Sequence, residues 1–295
     1  MSPDELLFDG EFLKKLEYLH VVSKKVFAGH FRAERRSRKR GSGIEFADHR
    51  AYAPGDDFRH VDWRAYQRLD KLLLRLFEEE QDLPIYIFVD TSRSMLQGRP
   101  RKLRYAKQVA AALCYIGLAH LDRVALLSYA DGLGRELEPQ RGKRQIFKVF
   151  NFLRHLEPGG PTNAQDAFTT FCTSRKAHGV TVVISDLLDP MGFEAGLNVL
   201  RYYRHEIFAI HVTGPSDTAP PLDGELRLVD AEDGDTCDLF LTPALVAAYR
   251  DTFDRWCGEI AAYCARYHVG YIRTFTDVPF EDAVLRIFRR GGFVA

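Results

Sequence analysis

The sequence predicts an α/β fold in which helices cover a doubly wound, mostly parallel sheet, with a smaller N-terminal unit. Short, mostly apolar runs at 85–89, 124–129 and 180–185 support this prediction. Apolar runs without polar alternation are typical of strands that are buried on both faces of a parallel sheet. Amphipathic stretches separate the runs, which indicates right-handed strand-helix-strand connections.

The length of 295 residues exceeds the usual size of one domain, so we expect two parts. Residues 1–82 form an N-terminal helical and basic segment, and residues 83–295 form the sheet domain with a C-terminal extension. Apolar residues recur at helical spacing from Asp4 to Phe27, which predicts one or two helices. A basic arm from Arg32 to Arg40 follows, and it is either a solvated linker or a contact for phosphates or an acidic partner. Without interleaved aromatic residues, the arm does not favour nucleic-acid binding.

Predicted strands and helices alternate through the rest of the chain. The strands are 72–77, 85–89, 124–129, 133–137, 180–185, 206–212 and 271–275, and the helices are 102–120, 145–156, 164–176, 193–203, 243–267 and 279–289. Two short runs at 225–229 and 236–241 flank Asp233-Gly234, a pattern typical of an antiparallel hairpin. We expect one face of the long C-terminal helix to be buried, namely Leu245, Ala248, Phe253, Trp256, Ile260, Tyr263 and Cys264.

The composition limits the kinds of partner and the cellular compartment that we expect for this protein. The 41 basic and 41 acidic residues cancel, so no overall charge favours nucleic acid or a membrane surface. The five cysteines include no Cys-x-x-Cys pair, which indicates reduced thiols in a cytoplasmic protein, and we interpret them as small core residues. Acidic residues near the N-terminus argue against a signal peptide, and no stretch approaches the roughly 18 apolar residues of a membrane span.

Polar oxygen ligands follow two of the predicted strands. Asp90, Ser92 and Ser94 come directly after the strand 85–89, and Asp186 follows the strand 180–185. Ligands in open α/β sheets bind beyond the carboxyl ends of the strands, so these side chains are placed for a site. Carboxylates and hydroxyls suit a hard cation, Mg²⁺ or Mn²⁺, better than zinc. The alternative is that they serve only as caps and hydrogen-bond partners in turns.

A fifth oxygen comes from Thr162, in the Gly-Gly-Pro-Thr-Asn turn at 159–163. Together with the DTSRSM loop and the Ser-Asp pair at 185–186, this turn resembles the metal-ion-dependent adhesion site (MIDAS) of von Willebrand factor A domains. The resemblance implies a von Willebrand factor A or Rossmann-like fold. It also implies that Ser92, Ser94 and Thr162 hold the ion directly, while Asp90 and Asp186 act through waters.

The upstream stretch EFADHRAYAPGDDFRHVDW, at 45–63, resembles the Arg-x-Tyr-x-Pro-Gly-Asp-Asp-x-Arg-x-x-Asp-Trp signature of the bacterial family DUF58. We expect its charged residues to form charge-assisted hydrogen bonds, with Tyr52 and Trp63 as anchors. A rival interpretation is a partner-docking surface, because Arg, Tyr and Trp are enriched in interface hot spots. The candidate partner-binding residues are Arg50, Tyr52, Asp56, Asp57, Arg59, Asp62 and Trp63.

The sequence favours a non-enzymatic, metal-dependent interaction protein whose partner offers a carboxylate to the ion. The family resemblance implies an adaptor or co-chaperone for a MoxR-type AAA+ ATPase, because such proteins are commonly encoded beside these motors. The alternative is a metal-dependent hydrolase or phosphatase that uses Asp90 as nucleophile. Against it, Ser92 stands where a haloacid-dehalogenase-type phosphatase needs a second Asp, and no Gly-x-Ser-x-Gly elbow occurs. The ten histidines show no zinc-binding spacing and are assigned core or surface roles.

Overall fold

The computed structural model describes residues 7–27, 40–41, 45–54, 56–78, 83–175, 178–218, 224–230 and 234–289. The basic arm predicted from Arg32 to Arg40 lies outside these ranges, apart from Arg40 itself. In chain order the strands are β1 (Arg40–Gly41), β2 (Glu45–Ala51), β3 (Leu73–Glu78), β4 (Ile85–Asp90), β5 (Val124–Tyr129), β6 (Leu133–Gln140), β7 (Val180–Ser185), β8 (Glu206–Thr213), β9 (Gly224–Val229), β10 (Thr236–Leu241) and β11 (Gly270–Phe275).

The α-helices in the described residues are α1 (Gly10–Phe27), α2 (Trp63–Leu69), α3 (Lys102–Ala119), α4 (Ile146–Arg154), α5 (Ala164–Ser174), α6 (Phe193–Tyr202), α7 (Pro215–Thr218), α8 (Pro243–Arg266) and α9 (Phe280–Arg289). No helix within the described ranges is both long and apolar enough to cross a membrane.

The chain divides into two compact units, and the division differs from the predicted one. The larger unit contains residues 1–26 and 83–295, and the smaller unit contains residues 27–82. The predicted boundary after residue 82 is therefore present, but the N-terminal helix groups with the sheet domain. Aromatic packing explains this difference: the ring of Phe8 stacks on Phe150 at 4.6 Å, and Phe12 lies 4.8 Å from Phe280.

The larger unit has a six-stranded sheet in the order β11-β8-β7-β4-β5-β6. All neighbouring pairs are parallel except β5 and β6, which pair antiparallel. The predicted mixed α/β fold with a mainly parallel sheet is confirmed. The order reverses between β4 and β7, because the chain adds β5 and β6 on one side and β8 and β11 on the other. Such a switch point is where open α/β sheets build their binding sites.

The core of the larger unit lies around β4, whose six residues are all buried. The ring of Phe88 makes edge contacts with Phe168 and Phe171, and the ring of Tyr86 also contacts Phe171. Fully burying an aromatic side chain of this kind contributes on the order of 2 kcal/mol. The burial of this apolar strand therefore also determines where the polar loop that follows it lies, because the loop begins at the buried end of the strand.

The smaller unit has a three-stranded antiparallel sheet in the order β1-β3-β2. The strand β3 matches the prediction for 72–77, whereas β2 and α2 were not predicted. A register shift between Phe46 and Asp48 interrupts the pairing of β2 with β3. The sequence of β2, EFADHRA, carries several charged residues and lacks the alternation of apolar and polar residues from which a strand is normally predicted.

The C-terminal part contains the predicted hairpin, formed by β9 and β10. The expected apolar face of α8 is only partly buried: Ile260 and Cys264 lie in the core, but Leu245 near the start of the helix is exposed. Four of the cysteines are buried, as expected, whereas Cys237 on β10 is exposed. That cysteine is therefore not a core residue, because its strand belongs to a two-stranded hairpin outside the main sheet.

Candidate metal site and the groove beside it

The loop after β4 turns tightly around the carboxylate of Asp90. The backbone N–H of Ser92 donates to Oδ1 of Asp90 at 2.8 Å, and the hydroxyls of Ser92 and Ser94 lie 3.0 Å apart. All three side chains are buried. The loop therefore presents two hydroxyl oxygens side by side, above a carboxylate that is held in place by hydrogen bonds.

The end of β7 brings a second carboxylate beside the first. Ser185 donates its hydroxyl to Oδ2 of Asp90 at 2.6 Å, and Asp186 follows as a buried residue. Burial, together with the negative charge of Asp186, raises the pKa of Asp90 to about 7. Two carboxylates crowded in a buried place favour a cation between or beside them.

The Gly-Pro-Thr turn is bonded directly to the loop after β4. The N–H of Arg93 donates to the carbonyl of Gly160 at 3.2 Å, and the N–H of Gly159 donates to the carbonyl of Thr91 at 2.9 Å. Gly160 has a φ of +74°, a conformation that glycine adopts without strain. Thr162 follows and is buried. The structure thus brings the three predicted segments together at the switch point of the sheet.

Lys102, the first residue of α3, is a member of this site that the sequence analysis did not assign. Its side chain is almost completely buried, and its Nζ lies 2.6 Å from Oδ2 of Asp186 and 3.5 Å from Oδ2 of Asp217. Burial disfavours the charged ammonium, but the charges of the two carboxylates outweigh burial and hold the pKa of Lys102 above its usual value. A lysine at the start of a helix opposes the helix dipole, but nothing in the local sequence identifies the anion with which it pairs.

The side chains fit a hard cation held mainly by hydroxyl oxygens. Ser92 and Ser94 supply adjacent neutral donors, and the buried carboxylates of Asp90 and Asp186 supply negative charge around them. Among the described residues, no three His, Cys, Asp or Glu side chains are grouped as a metal site. This finding concerns only sites made of carboxylate, imidazole and thiol ligands. The predicted site differs from these, because three of its five ligands are serine and threonine hydroxyls.

A groove of about 1300 Å³ opens beside the site within the larger unit. Its lining includes Ser94, Lys102 and Asp217 at the site, and Phe253 and Trp256 from α8. Strands β9 and β10 add the partly exposed apolar residues Leu228 and Val229 together with Thr236 and Cys237, and the connection between the strands adds Asp230 and Asp235. The groove therefore combines polar residues of the site with apolar and acidic side chains from the C-terminal part.

The second predicted surface, in the smaller unit, forms the expected network of charged hydrogen bonds. Arg50 pairs with Asp56 at 2.7 Å, and the guanidinium of Arg59 binds both carboxylate oxygens of Asp57. Hydrogen bonds from Arg59 lower the pKa of Asp57 to about 2. Both pairs lie at the surface, where ion pairs contribute little to stability.

Asp62 is the residue that organises this part of the chain. Its Oδ1 accepts the N–H groups of Arg64 and Ala65 at the start of α2 and a bond from Arg75, while Oδ2 pairs with His49 at 3.0 Å. The bond from Arg75 makes the largest contribution to a pKa of Asp62 well below the usual range. We therefore assign Asp62 a helix-capping and structural position.

The two aromatic residues expected to anchor the signature differ in their environments. The ring of Tyr52 is half-buried and stacks on Phe58 at 5.1 Å. Trp63 is 56% exposed and makes an edge contact with Tyr66. The prediction that Trp63 anchors the network is wrong, because the indole is mostly exposed and its ring contact is with Tyr66 of the same helix.

Two of the ten histidines, His205 and His211, are buried. His205 bonds the hydroxyl of Thr181 at 2.8 Å, and burial lowers its pKa to about 4. His211 bonds the hydroxyl of Tyr271 at 2.9 Å, and burial lowers its pKa to about 3. Both are core residues, in agreement with the roles assigned from the sequence.

The fold and the site define a mainly parallel α/β protein with a buried, oxygen-lined site at the switch point of its sheet. The chain belongs to the DUF58 family, described as proteins of unknown function, whose model matches residues 48–256. An uncharacterized protein of Mycobacterium tuberculosis is 28% identical over 264 residues, which cover 88% of this chain and 81% of that protein. An uncharacterized protein of Mycobacterium avium is 34% identical over 91 residues, which cover 31% of this chain and 51% of that protein.

Solved structures with similarity to the chain include two proteins from Bacteroides. An aerotolerance-related membrane protein from Bacteroides fragilis has a TM-score of 0.45 at 17% identity, covering 70% of this chain and 99% of its own. The conserved hypothetical protein BatB from Bacteroides thetaiotaomicron has a TM-score of 0.43 at 16% identity, covering 70% of this chain and 98% of its own.

Proposed function

We propose that this protein is a non-enzymatic interaction module that captures a carboxylate of a protein partner through Mg²⁺ or Mn²⁺. The observation that carries the proposal is the gathering of Asp90, Ser92, Ser94 and Asp186 at the carboxyl ends of β4 and β7, beside an open groove. These donors are the hard oxygen ligands that such ions prefer. The site is proposed to be of the von Willebrand factor A adhesion type.

In this proposal Ser92, Ser94 and Thr162 hold the ion, which offers an electrophilic position to the partner's carboxylate. The protein's own part is to keep the ligands in place. Asp90 is fixed by Ser185 and by the backbone of Ser92, so its carboxyl group stays next to the hydroxyls. Few anionic groups hold the ion directly, so it retains affinity for one further carboxylate.

The apolar residues in the lining of the groove support a protein partner over a small metabolite. Phe253, Trp256 and Val229 line the groove together with the polar residues of the site. Exposed apolar surface of this kind, rimmed by polar residues, is typical of protein-protein contacts. By family resemblance we propose a MoxR-type AAA+ ATPase as the partner, with this protein as adaptor or co-chaperone in the cytoplasm. Mixing the purified ATPase and this chain in Mg²⁺ or in chelator tests this partnership directly.

The hydrolase alternative is disfavoured by the environment of Asp90. Oδ1 accepts the N–H of Ser92 and Oδ2 accepts the hydroxyl of Ser185, and the side chain is fully buried. A nucleophilic carboxylate needs an oxygen that can reach the substrate. Beryllofluoride, a phosphate mimic, tests the point: a stable adduct at Asp90 would revive the alternative.

The metal is tested by titrating Mg²⁺ and Mn²⁺ into chelator-treated protein by calorimetry. We compare the parent with a Ser92→Ala, Ser94→Ala variant, which keeps the fold but loses two donors. The matched control is Ser174→Ala, which removes a hydroxyl that bonds only within its own helix. Saturable binding by the parent and the control, but not by the double variant, supports the proposal. Absence of binding in all three contradicts it.

A further inference from the structure

Lys102 introduces a positive charge into a place that the sequence assigned to a metal ion. Its Nζ lies 2.6 Å from Asp186, a distance typical of a strong charge-assisted hydrogen bond. The other oxygen of Asp186 accepts the N–H of Leu188 at 3.3 Å. Both oxygens of this carboxylate are therefore already engaged, and its charge is already balanced by the ammonium.

A second carboxylate lies within reach of the same ammonium. Oδ2 of Asp217, on α7 after β8, is 3.5 Å from the Nζ of Lys102 and also accepts the N–H of Gly214 at 2.8 Å. The ammonium is therefore shared unequally between two acids, of which Asp186 is the nearer. Asp217 is not one of the oxygen ligands predicted from the sequence.

We propose that Lys102 is a tethered cation that competes with the divalent ion for Asp186 and moves to Asp217 when the ion binds. This inference rests on the proposed function, because it concerns the same metal site. The physical reason is simple repulsion: two positive charges beside one buried carboxylate oppose each other strongly where water is excluded. Lys102 then sets the ion concentration at which the site fills, and it keeps Asp186 paired when no ion is bound.

The inference predicts a gain of metal affinity when the charge of Lys102 is removed. Lys102→Met deletes the ammonium while keeping an unbranched side chain, and Lys102→Gln keeps a hydrogen-bond donor for Asp186 in case the methionine variant does not fold. We expect either variant to bind Mn²⁺ at least tenfold more tightly than the parent by calorimetry. Circular dichroism and thermal unfolding identify the variants that retain the fold.

Asp217 provides a second, independent measurement. If Asp217 acts by drawing the ammonium away from Asp186, Asp217→Asn weakens Mn²⁺ binding about fivefold or more in the parent. In the Lys102→Gln background the same substitution has a much smaller effect, because no ammonium remains to be moved. Equal effects in the two backgrounds would contradict the proposed movement.

The outcomes separate this inference from the proposed function. If the parent binds Mn²⁺ and the Lys102 variants bind no more tightly, the competition is refuted while the metal-dependent function stands. If only the Lys102 variants bind, the competition is upheld and the lysine is strong enough to exclude the ion at the concentrations used. If neither the parent nor a folded Lys102 variant binds, both ideas are wrong.

Discussion

Ser185 donates its hydroxyl to Oδ2 of Asp90 over 2.6 Å, so the last residue of β7 fixes the carboxylate that ends β4. The same hydroxyl accepts the N–H of Leu187 at 2.8 Å. One serine therefore links the two strand ends and shapes the backbone on either side of Asp186. Neighbours that orient a ligand in this way are often as important for metal affinity as the ligands.

We expect Ser185→Ala to weaken Mn²⁺ binding by about tenfold, because Asp90 loses the partner that orients it. Because the substitution also removes the acceptor of the Leu187 N–H, thermal unfolding is measured first to establish that the variant retains the fold. Calorimetry measures the affinity, and Ser174→Ala is again the control for the loss of a hydroxyl. An unchanged affinity in Ser185→Ala would show that Asp90 does not need this bond to support the ion.

We expect Asp62→Asn to destabilise the smaller unit, because Asp62 caps α2 and accepts bonds from Arg75 and His49. Trp63→Ala is the contrasting variant: the indole is exposed, so stability changes by only about 0.5 kcal/mol or less. Hydrogen exchange of the amides of β3 reports on this unit. A large loss of protection in Trp63→Ala would mean that the tryptophan is an anchor after all.

The larger unit should lose stability in mild acid through His205. Its pKa is about 4 in the folded protein, against an ordinary value of 6.5, so the unfolded chain binds the proton first. The contribution of His205 to the free energy of unfolding is complete above pH 6.5. It declines as the pH falls towards 4, by at most about 1.4 kcal/mol per pH unit. Urea unfolding at a series of pH values measures the slope; buried His211 adds to it in the same direction, and the raised pKa of Asp90 contributes in the opposite direction, so the effect of His205 is isolated by comparison with a variant.

A His205→Asn variant is expected to show a shallower pH dependence over that range. His155→Asn, at an exposed position, is the control for the effect of a histidine-to-asparagine substitution as such. If the slopes of the parent and the His205 variant agree, the buried imidazole is not the group responsible.

Two glycine substitutions should have opposite effects on stability. A Cβ on Gly196 in α6 would lie 2.7 Å from the Cβ of Ala164, the first residue of α5, so Gly196→Ala forces the helices apart. We expect a loss of about 1 to 3 kcal/mol. Gly258 in α8 has open space around the same position, and there Gly→Ala should stabilise by about 0.5 to 1 kcal/mol. Thermal or urea unfolding of the two variants provides the test, and destabilisation of similar size in both would contradict the packing argument.

Thiol chemistry should distinguish Cys237 from the other cysteines. Cys237 is exposed in the wall of the groove, whereas burial shields the other four and raises the pKa of Cys172 to about 11 and of Cys264 to about 12. We expect Ellman's reagent to titrate one thiol rapidly in the native protein and five after denaturation. Cys237→Ser should abolish the rapid phase, and a rapid phase that persists in this variant would place an accessible thiol elsewhere.

The central strands could be predicted because their position in the fold determines their composition. Residues of β4 and β7 are almost all buried, so they form mostly apolar runs that end where the polar site begins. By contrast, β2 pairs with one neighbour in a small sheet and carries charged side chains, which hides it from the same reasoning. The five candidate oxygen residues could be selected from the sequence because each lies in or directly after a recognisable strand or turn.

The roles of Lys102 and Trp63 could not be predicted, for different physical reasons. Lys102 meets Asp186 across 84 positions of sequence, and no local pattern encodes a contact between a helix start and a distant strand end. Trp63 belongs to a residue type that is usually well covered, but its exposure depends on which way α2 faces. The position of a residue in the sequence identifies it as a candidate for a site or an anchor. The packing of the folded chain then determines whether that residue is buried.

The arrangement of the two units along the sequence has a consequence for proteolysis. Residues 1–26 belong to the larger unit, and so does everything from residue 83 onward, so the smaller unit is an insertion with two covalent connections to the same body. A single cut in the first connection cannot release it, because the connection before β4 remains intact. The short N-terminal fragment would also stay bound through the packing of Phe8 and Phe12 on Phe150 and Phe280. A nicked protein would therefore run as one species in gel filtration and as two in denaturing electrophoresis.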